Sequence, residues 1–279
     1  MASEFLEVED LRVAYGRGRR AVEVLKGVSL TLDAGMTLGL VGESGSGKST
    51  LGRAILGLAP ATAGRILFEG QDIAHATPVQ RRLLARYIQV IFQDPYTSLN
   101  PSMKVRDILA EPLIAQGRGA REVTAELGRL LDRVAMPSDS LDRYSREFSG
   151  GQRQRIAIAR ALALSPRLIV CDEPVSALDL STQRRVLDLL QELQTHSGLS
   201  YLFISHDLAV VRHISHTVAV MFQGEIVEFG GTQQVIGNPS HMYTRRLLAS
   251  SLIPNPEAQA LRRARRQQSI DVMKMKASS

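Results

Sequence analysis

The sequence has little cysteine and no long apolar stretch, and both shortages exclude whole classes of protein. Cys171 is the single cysteine in 279 residues, which excludes a disulfide framework and a multi-cysteine metal or iron–sulfur cluster. A lone cysteine also favours a reducing compartment such as the cytosol. No run of 18 apolar residues occurs, which argues against a membrane-spanning helix. The first ten residues are acidic and contain no apolar signal core, so secretion is not expected.

The net charge is small over most of the chain and concentrates near its end. Of the net charge of +6, residues 255–279 contribute +4 through six basic and two acidic side chains. Residues 1–254 therefore carry only +2, which does not indicate a basic face that binds nucleic acid. We expect residues 254–279 to form a basic, flexible tail, which begins at Pro254 and Pro256. Such a tail could contact anionic lipid headgroups.

Short apolar segments alternate with helical stretches, which is typical of an α/β protein with a largely parallel sheet. The predicted strands are residues 5–15, 36–41, 65–68, 88–92, 168–171, 199–204, 217–222 and 225–229. Helices are predicted over about 48–58 and 181–195, and another follows residue 204. Residues from about 95 to 165 are mostly helical in pattern, and we expect them to form a subdomain inserted into the α/β core.

A glycine-rich loop lies between the predicted strand 36–41 and the first predicted helix. It matches G-x-x-x-x-G-K-[ST], a loop whose backbone N–H groups surround phosphates. The following helix adds the partial positive charge of its N-terminus. Lys48 would reach the β- and γ-phosphates of a nucleotide, and the Ser49 hydroxyl would bind Mg²⁺. The candidate nucleotide-binding residues are Gly42, Glu43, Ser44, Gly45, Ser46, Gly47, Lys48, Ser49 and Thr50.

Two acidic residues follow the apolar strand 168–171 directly. In open α/β sheets, ligands bind beyond the carboxyl ends of the strands, where these acids would lie. Asp172 is the candidate Mg²⁺ ligand, and Glu173 is the candidate group that polarises an attacking water molecule. Alone the pair would be ordinary solvated acids, but beside a phosphate-binding loop the functional interpretation is favoured. Cys171 is interpreted as a core residue without chemistry.

A second helix start also has the features of a phosphate site. Ser149 is a suitable N-cap, and Gly150 and Gly151 leave the N-terminus of the predicted helix open to a ligand. The phrase Phe-Ser-Gly-Gly-Gln at residues 148–152 resembles the signature motif of ABC transporters, in which leucine usually stands at the first position.

Further phrases carry the same resemblance in the same order along the chain. Gln93 matches the Q-loop, Asp179 the D-loop and His206 the switch histidine of the ABC ATPases. Tyr15 stands where that family places an aromatic ring that stacks on adenine. The resemblance covers about residues 5–250. It implies an ABC ATPase fold of the P-loop NTPase type, with a mixed β-sheet core, an N-terminal antiparallel β part and an inserted helical subdomain.

The resemblance also implies roles for these residues, with ATP and Mg²⁺ as cofactors. Glu173, His206 and Gln93 would act in hydrolysis, and Ser49, Gln93 and Asp172 would hold the metal ion. Nucleotide contacts outside the glycine-rich loop would come from Tyr15, Ser149, Gly150, Gly151, Gln152 and Asp179. In this family two ATPase domains dock head to tail, so that each ATP lies between the loop of one domain and the signature of the other.

Two longer phrases are similar to one class of transporter. Residues 92–101 resemble the Q-loop region of peptide and nickel importers, and residues 238–248 resemble their C-terminal His-Pro-Tyr-Thr segment. Met242 stands at the proline position of that segment. The predicted organisation is an ABC ATPase domain over 1–253, including a helical subdomain at about 95–165 and an importer-type segment at about 238–253. The tail of residues 254–279 follows this domain.

The function implied is an ATP-hydrolysing subunit that energises uptake of di- or oligopeptides or of nickel. Its partners would be a second ATPase subunit, identical or different, and two transmembrane permease subunits, with an external solute-binding protein acting indirectly. The location implied is the cytoplasmic face of the inner membrane. A non-transport ABC ATPase that acts on nucleic acid or ribosomes is the alternative. The small charge of residues 1–254 and the absence of sustained heptads between the two glycine motifs argue against it.

Overall fold

The computed structural model describes residues 5–16, 18, 21–94 and 98–250. Within them, the chain forms two β-sheets. The first sheet is antiparallel and has the strand order β2-β1-β4-β5. Its strands are β1 (Leu6–Tyr15), β2 (Val22–Leu32), β4 (Ala61–Phe68) and β5 (Gln71–Asp72).

The second sheet is mixed and has the strand order β10-β9-β3-β8-β7-β6. Its strands are β3 (Thr37–Val41), β6 (Ile88–Ile91), β7 (Leu168–Asp172), β8 (Ser200–Ile204), β9 (Thr217–Phe222) and β10 (Glu225–Gly231). The strands β9, β3, β8, β7 and β6 run parallel to one another, whereas β10 pairs with β9 antiparallel. The carboxyl ends of β3, β7 and β8 therefore meet at one edge, where a ligand site is expected.

Helices cover both faces of the mixed sheet. They are α1 (Lys48–Ile55), α2 (Pro78–Leu84), α3 (Val105–Ala115), α4 (Ala120–Arg133), α5 (Gly150–Leu162), α6 (Leu180–Ser197), α7 (Leu208–Ile214), α8 (Thr232–Gly237) and α9 (Met242–Ser250). Among the described residues, no helix has the length and apolar character needed to cross a membrane.

The core has two parts, one on each face of the mixed sheet. On one face, Leu51 and Ile55 of α1 pack with the antiparallel sheet and with β-strand residues such as Leu40 and Ile204. On the other face, α3 to α7 pack against side chains such as Phe203. The strands of the mixed sheet are apolar on both sides because both faces are covered. Helix α1 is thus held between the sheets, which fixes the position of the loop before it.

The predicted α/β fold with a mixed sheet and an N-terminal antiparallel part is confirmed. The strand β2 was not predicted, although Val28, Leu30 and Leu32 alternate with more exposed residues as a half-buried strand requires. Helix α2 was also not predicted. Between residues 98 and 165 the structure contains α3, α4, α5 and two short 3-10 segments. The domain boundaries 1–253, 95–165 and 238–253 stay predictions, and residues 254–279 lie outside the described residues.

Candidate functional site: a cleft at the carboxyl ends of the strands

A cleft of about 600 Å³ opens where β3 and β7 end. Residues of the glycine-rich loop and of the first turn of α1 line it, together with polar residues that follow β6, β7 and β8. The described residues that line it are Val24, Ser44, Gly45, Gly47, Lys48, Ser49, Thr50, Gln93, Glu173 and His206. The cleft brings together residues that lie up to 182 positions apart in the sequence, from Val24 to His206.

The loop of residues 42–49 has a positive φ, which only glycine adopts easily, at Gly42, Gly45 and Gly47. Gly47 is the N-cap of α1 with φ of 111°, in the left-handed region. Gly42 passes so close to the carbonyl oxygen of Met221 that a Cβ atom would overlap it. Among the described residues, no side chain caps α1, so the N–H groups of its first turn remain available to a ligand. This arrangement suits an anion such as phosphate.

Lys48 begins α1, and its amine turns back toward the loop. Nζ donates hydrogen bonds of 2.8 Å to the backbone oxygens of Gly42 and Glu43. Burial lowers the pKa of Lys48, and the carboxylates of Glu173 and Asp172 offset part of that effect. The amine is thus positioned between the loop and the two acids, so phosphate oxygens entering the cleft would meet a positive charge that is shielded from water.

Ser49 and Asp172 form the pair suited to a metal ion. The Ser49 hydroxyl donates a hydrogen bond of 2.8 Å to Asp172 Oδ1. A hydroxyl and a carboxylate oxygen are hard ligands of the kind Mg²⁺ prefers when phosphate oxygens complete its coordination. The donor set present therefore fits Mg²⁺. Gln93, the third predicted metal residue, lies in the same cleft but donates its amide hydrogen to Glu173 rather than to this pair.

Glu173 is the central polar group of the cleft. Its Oε2 accepts a hydrogen bond of 3.1 Å from Gln93 Nε2 and lies 3.1 Å from His206 Nδ1. Its backbone has a φ of 50°, and its N–H donates to the carbonyl of Ile204 on the neighbouring strand. A left-handed backbone in a non-glycine residue costs of order 1 kcal/mol, and such strain often occurs at functional sites. The sheet edge therefore fixes the backbone of Glu173, while Gln93 and His206 hold its carboxylate.

The second predicted phosphate site begins α5, outside the described lining of the cleft. Ser149 is the N-cap, as predicted. Its Oγ accepts from Gln152 N–H at 3.4 Å, and the Gln152 side chain accepts from Ser149 N–H at 3.0 Å, which completes a capping box. From the sequence, Gly151 is expected to leave the helix start open to a ligand. A Cβ atom there would overlap Thr182 Cγ2, so close packing of α5 against α6 is a second reason for this glycine.

Asp179 and Tyr15 also lie away from the described lining of the cleft. Asp179 caps α6 and accepts hydrogen bonds from the backbone and hydroxyl groups of Thr182 and Ser181. Those bonds, first from the Thr182 hydroxyl, hold the pKa of Asp179 far below its ordinary value. Tyr15 ends β1 opposite Val22 and is 41% exposed. Both residues are accessible, and their predicted nucleotide contacts stay predictions.

Sequence reasoning missed two residues at the site. Val24 lines the cleft from β2, and the alternation of that strand could have revealed it. Tyr243 of α9 contacts the glycine-rich loop, because its hydroxyl accepts a hydrogen bond of 3.0 Å from the N–H of Glu43. Residue 243 lies inside the phrase that resembles the importers' C-terminal segment, but no local pattern indicates this contact across 200 positions.

Comparison with known proteins agrees with this geometry. The family model described as ABC transporter matches residues 25–176, more than half of the chain. The chain belongs to the ABC transporter family. A second family model, described as oligopeptide/dipeptide transporter, C-terminal region, matches residues 227–278, part of which lies outside the described residues. The resemblance inferred from the sequence, to ATP-binding subunits of the peptide importer type, is confirmed.

Curated ABC relatives are similar over most of this chain. The oligopeptide transport ATP-binding protein OppD of Mycobacterium tuberculosis is 51% identical over 253 residues, which are 89% of this chain and 41% of that protein. The glutathione import ATP-binding protein GsiA of Escherichia coli is 51% identical over 87% of this chain and 39% of its own length. A putative peptide import ATP-binding protein of Brucella ovis is 47% identical over 92% of this chain and 81% of that protein. The chain thus spans about two fifths of the first two relatives.

Solved structures of ABC proteins share the fold. The dimeric post-hydrolysis state of the ATP-binding cassette MJ0796, bound to ADP and Pi, has a TM-score of 0.73 and 27% identity. The match covers 81% of this chain and 98% of the MJ0796 chain. The cbiO1 protein of Clostridium perfringens, part of an ABC transporter complex, has a TM-score of 0.78 and 25% identity, with coverage of 93% and 99%. The predicted ABC ATPase fold is therefore confirmed.

Proposed function

We propose that this chain is the ATP-hydrolysing subunit of an ABC importer and energises the uptake of peptides. The observation that carries the proposal is the arrangement around Glu173. Its carboxylate contacts Gln93 and His206, and Glu173 lines the same cleft as Lys48 and Ser49. A phosphate cradle, a metal-binding pair and a fixed carboxylate in one cleft are the parts that phosphoryl transfer to water requires.

The glycine-rich loop would hold the phosphates of ATP. Its backbone N–H groups and the first turn of α1 would surround the phosphate oxygens, with Thr50 as a further hydroxyl donor at the cleft wall. Lys48 would keep its hydrogen bond to the Gly42 oxygen and turn its other N–H donors to the β- and γ-phosphates. Mg²⁺ bound by Ser49, Asp172 and Gln93 would supply charge neutralisation. Tyr15 would stack on the adenine, as its exposed position permits.

Hydrolysis would add water to the γ-phosphorus and release ADP and inorganic phosphate. Glu173 would accept a hydrogen bond from the attacking water and orient it in line with the bond that breaks. Gln93 and His206 lie on Glu173 Oε2 and would keep that carboxylate in place, and His206 would also contact the γ-phosphate. Positioning and charge neutralisation suffice for this reaction, so no covalent intermediate is needed.

A second ATPase subunit would complete the site. Ser149, Gly150, Gly151 and Gln152 begin α5 away from the described lining of this chain's own cleft, and Asp179 begins α6 nearby. In a head-to-tail pair, identical or different, these residues would meet the nucleotide of the partner. The γ-phosphate would then bridge two subunits, and its release would open the interface.

The relatives' names describe import of oligopeptides, peptides and glutathione, which supports peptides as the solute class. Nickel, the other predicted solute, is not among those names. We infer two permease subunits as partners in the membrane, an external solute-binding protein acting indirectly, and a position at the cytoplasmic face. The same names support an importer over an ATPase that acts on nucleic acid or ribosomes.

Wild type and the Glu173→Gln variant, compared with and without Mg-ATP, test the ATPase part. Size-exclusion chromatography gives the mass, and phosphate release gives the turnover. We expect Glu173→Gln to bind ATP, to lose turnover and to accumulate as a dimer, because the nucleotide persists at the interface. A wild-type chain that binds no nucleotide would contradict the proposal at its centre.

Uptake in cells that lack the chain tests the transport part. Uptake of a radiolabelled tripeptide should fall, and it should return with the wild-type chain but not with Glu173→Gln. If tripeptide uptake is unchanged while uptake of labelled nickel falls, peptides are excluded as the solute and nickel takes their place.

A further inference from the structure

The C-terminal segment of the described chain touches the glycine-rich loop through one side chain. Tyr243 of α9 is buried, and its ring packs on Phe222 at a centroid distance of 4.2 Å. Its hydroxyl accepts the hydrogen bond from the N–H of Glu43, at 3.0 Å. The ring alone would fill this space equally well in phenylalanine. The hydroxyl is therefore the part of the side chain that serves the loop.

The N–H of Glu43 belongs to the same peptide unit as the carbonyl of Gly42. That carbonyl accepts a hydrogen bond of 2.8 Å from Lys48 Nζ. Because a trans peptide unit is planar, its N–H and C=O point in opposite directions. Fixing the N–H on Tyr243 thus fixes the direction of the carbonyl that receives the lysine amine. Tyr243 and Lys48 therefore bond to opposite sides of one rigid peptide unit.

Several hydrogen bonds hold Tyr243 where it meets the loop. Glu228 on β10 accepts from Ser240 N–H at 2.7 Å and from His241 N–H at 3.1 Å, just before α9 begins. His241 Nδ1 in turn accepts from the N–H of Tyr243 at 3.2 Å. Phe222, the packing partner, ends β9 in the mixed sheet. The residues that position Tyr243 therefore belong in part to the mixed sheet, which also carries the cleft.

We propose that Tyr243 is a positioning residue for the nucleotide site, acting through the Gly42–Glu43 peptide on Lys48. This inference rests on the proposed function, since it assigns Tyr243 to the cleft that would bind ATP. It gives the segment after β10 a role at the phosphate cradle. Without the hydroxyl, the peptide unit would be free to rotate and the lysine amine would lose one fixed acceptor, so nucleotide affinity would fall.

The test compares Tyr243→Phe with Tyr201→Phe. The control hydroxyl is also buried and also bonds to the backbone, since Tyr201 donates to the carbonyl of Leu190 at 3.0 Å, but it lies away from the loop. The first readout is amide hydrogen exchange over residues 42–48 in the nucleotide-free protein. The second is the affinity for Mg-ATP, measured with a fluorescent analogue, together with KM and kcat. A thermal melt checks that both variants fold.

Tyr243→Phe should speed exchange at Glu43 and raise Kd and KM by about 2- to 10-fold, the range of one lost hydrogen bond, while kcat stays near wild type. Tyr201→Phe should change neither. Wild-type exchange, or faster exchange with unchanged affinity, would overturn the inference, as would an equal loss of affinity in Tyr201→Phe. If the wild-type chain binds no nucleotide, the proposed function fails and the inference fails with it, whereas a failure confined to Tyr243→Phe leaves the proposed function standing.

Discussion

The starts of helices α1 and α5 have similar sequences but opposite hydrogen-bonding states. Glycine and serine residues stand at both helix starts. The start of α1 has Gly47 as its N-cap and, within the described residues, no capping side chain. The start of α5 is closed by its own residues, because Ser149 and Gln152 bond to each other's backbone N–H groups.

The difference shows which of the two is ready to bind an anion within one chain. An uncapped first turn leaves N–H donors that an anion can satisfy, and Lys48 stands beside them with its charge shielded from water. In a capped first turn, side chains already accept hydrogen bonds from some of these N–H groups. In the proposed pair of subunits, the start of α5 would meet a ligand only after the hydroxyl of Ser149 exchanges its partner.

The largest expected effect belongs to Glu173→Gln, which tests whether chemistry is confined to the cleft before α1. The amide keeps the shape of the side chain but cannot orient and polarise water as a carboxylate does. We expect turnover to fall by about 10²- to 10⁴-fold, the usual share of a positioned acid or base. ATP affinity should stay near wild type in a titration with Mg-ATP.

Glu225→Gln is the matched control for that change. It removes the same charge, and Glu225 is exposed on β10. Phosphate release by this control should equal that of wild type. Substantial turnover in Glu173→Gln would move the catalytic role to another residue and undo the assignment of the cleft.

The second largest effect is expected from removing the positive charge of Lys48 at the start of α1. Lys48→Ala removes the amine that lies between the loop carbonyls and the two acids. A hydrogen bond with a charged partner is worth about 1.5–3 kcal/mol, so nucleotide affinity should fall by about 10- to 150-fold. Isothermal titration with Mg-ADP measures this change without turnover. Lys26→Ala, at an exposed position on β2, should bind as wild type does.

A third change asks whether Gly151 serves packing. In Gly151→Ala the new methyl group overlaps Thr182 Cγ2, so either α5 and α6 separate or Thr182 turns and loses its hydrogen bond to Asp179. We expect a loss of about 1–3 kcal/mol in the free energy of unfolding, as for other overpacked sites. Gly128→Ala on α4, where the space is open, should instead stabilise by about 0.5–1 kcal/mol. Urea denaturation compares the two.

Rescue sharpens that comparison. Thr182→Ser removes the overlapping methyl group but keeps the hydroxyl that donates to Asp179. Added to Gly151→Ala, it should restore most of the lost stability. If the double variant stays as unstable as the single one, the glycine is required for a reason other than its approach to α6.

The sequence predicted those parts of the site that depend on local spacing. The loop of residues 42–49 and the acids Asp172 and Glu173 follow apolar strands directly, so strand ends alone place them at one edge. The contact between Gln93 and Glu173 joins residues 80 positions apart, and that between Tyr243 and Glu43 joins residues 200 apart. Such contacts depend on the order of the strands and on how the helices pack. The hydrophobic periodicity of one sequence does not reveal either. β2 is different, because the alternation of its apolar residues is visible in the sequence itself.

The smallest expected effect comes from Ser149→Ala, which opens the cap of α5 and makes it resemble the start of α1. Losing an N-cap costs about 1 kcal/mol of stability, and Thr77→Ala, which opens the capping box of α2, should cost about the same. The two variants should therefore unfold alike in urea, and both should bind nucleotide as wild type does when monomeric. They should differ only in ATP-dependent dimer formation, which Ser149→Ala alone should weaken, because only that hydroxyl would meet the partner's nucleotide. Equal dimerisation of both variants by analytical ultracentrifugation would limit Ser149 to its role as a helix cap.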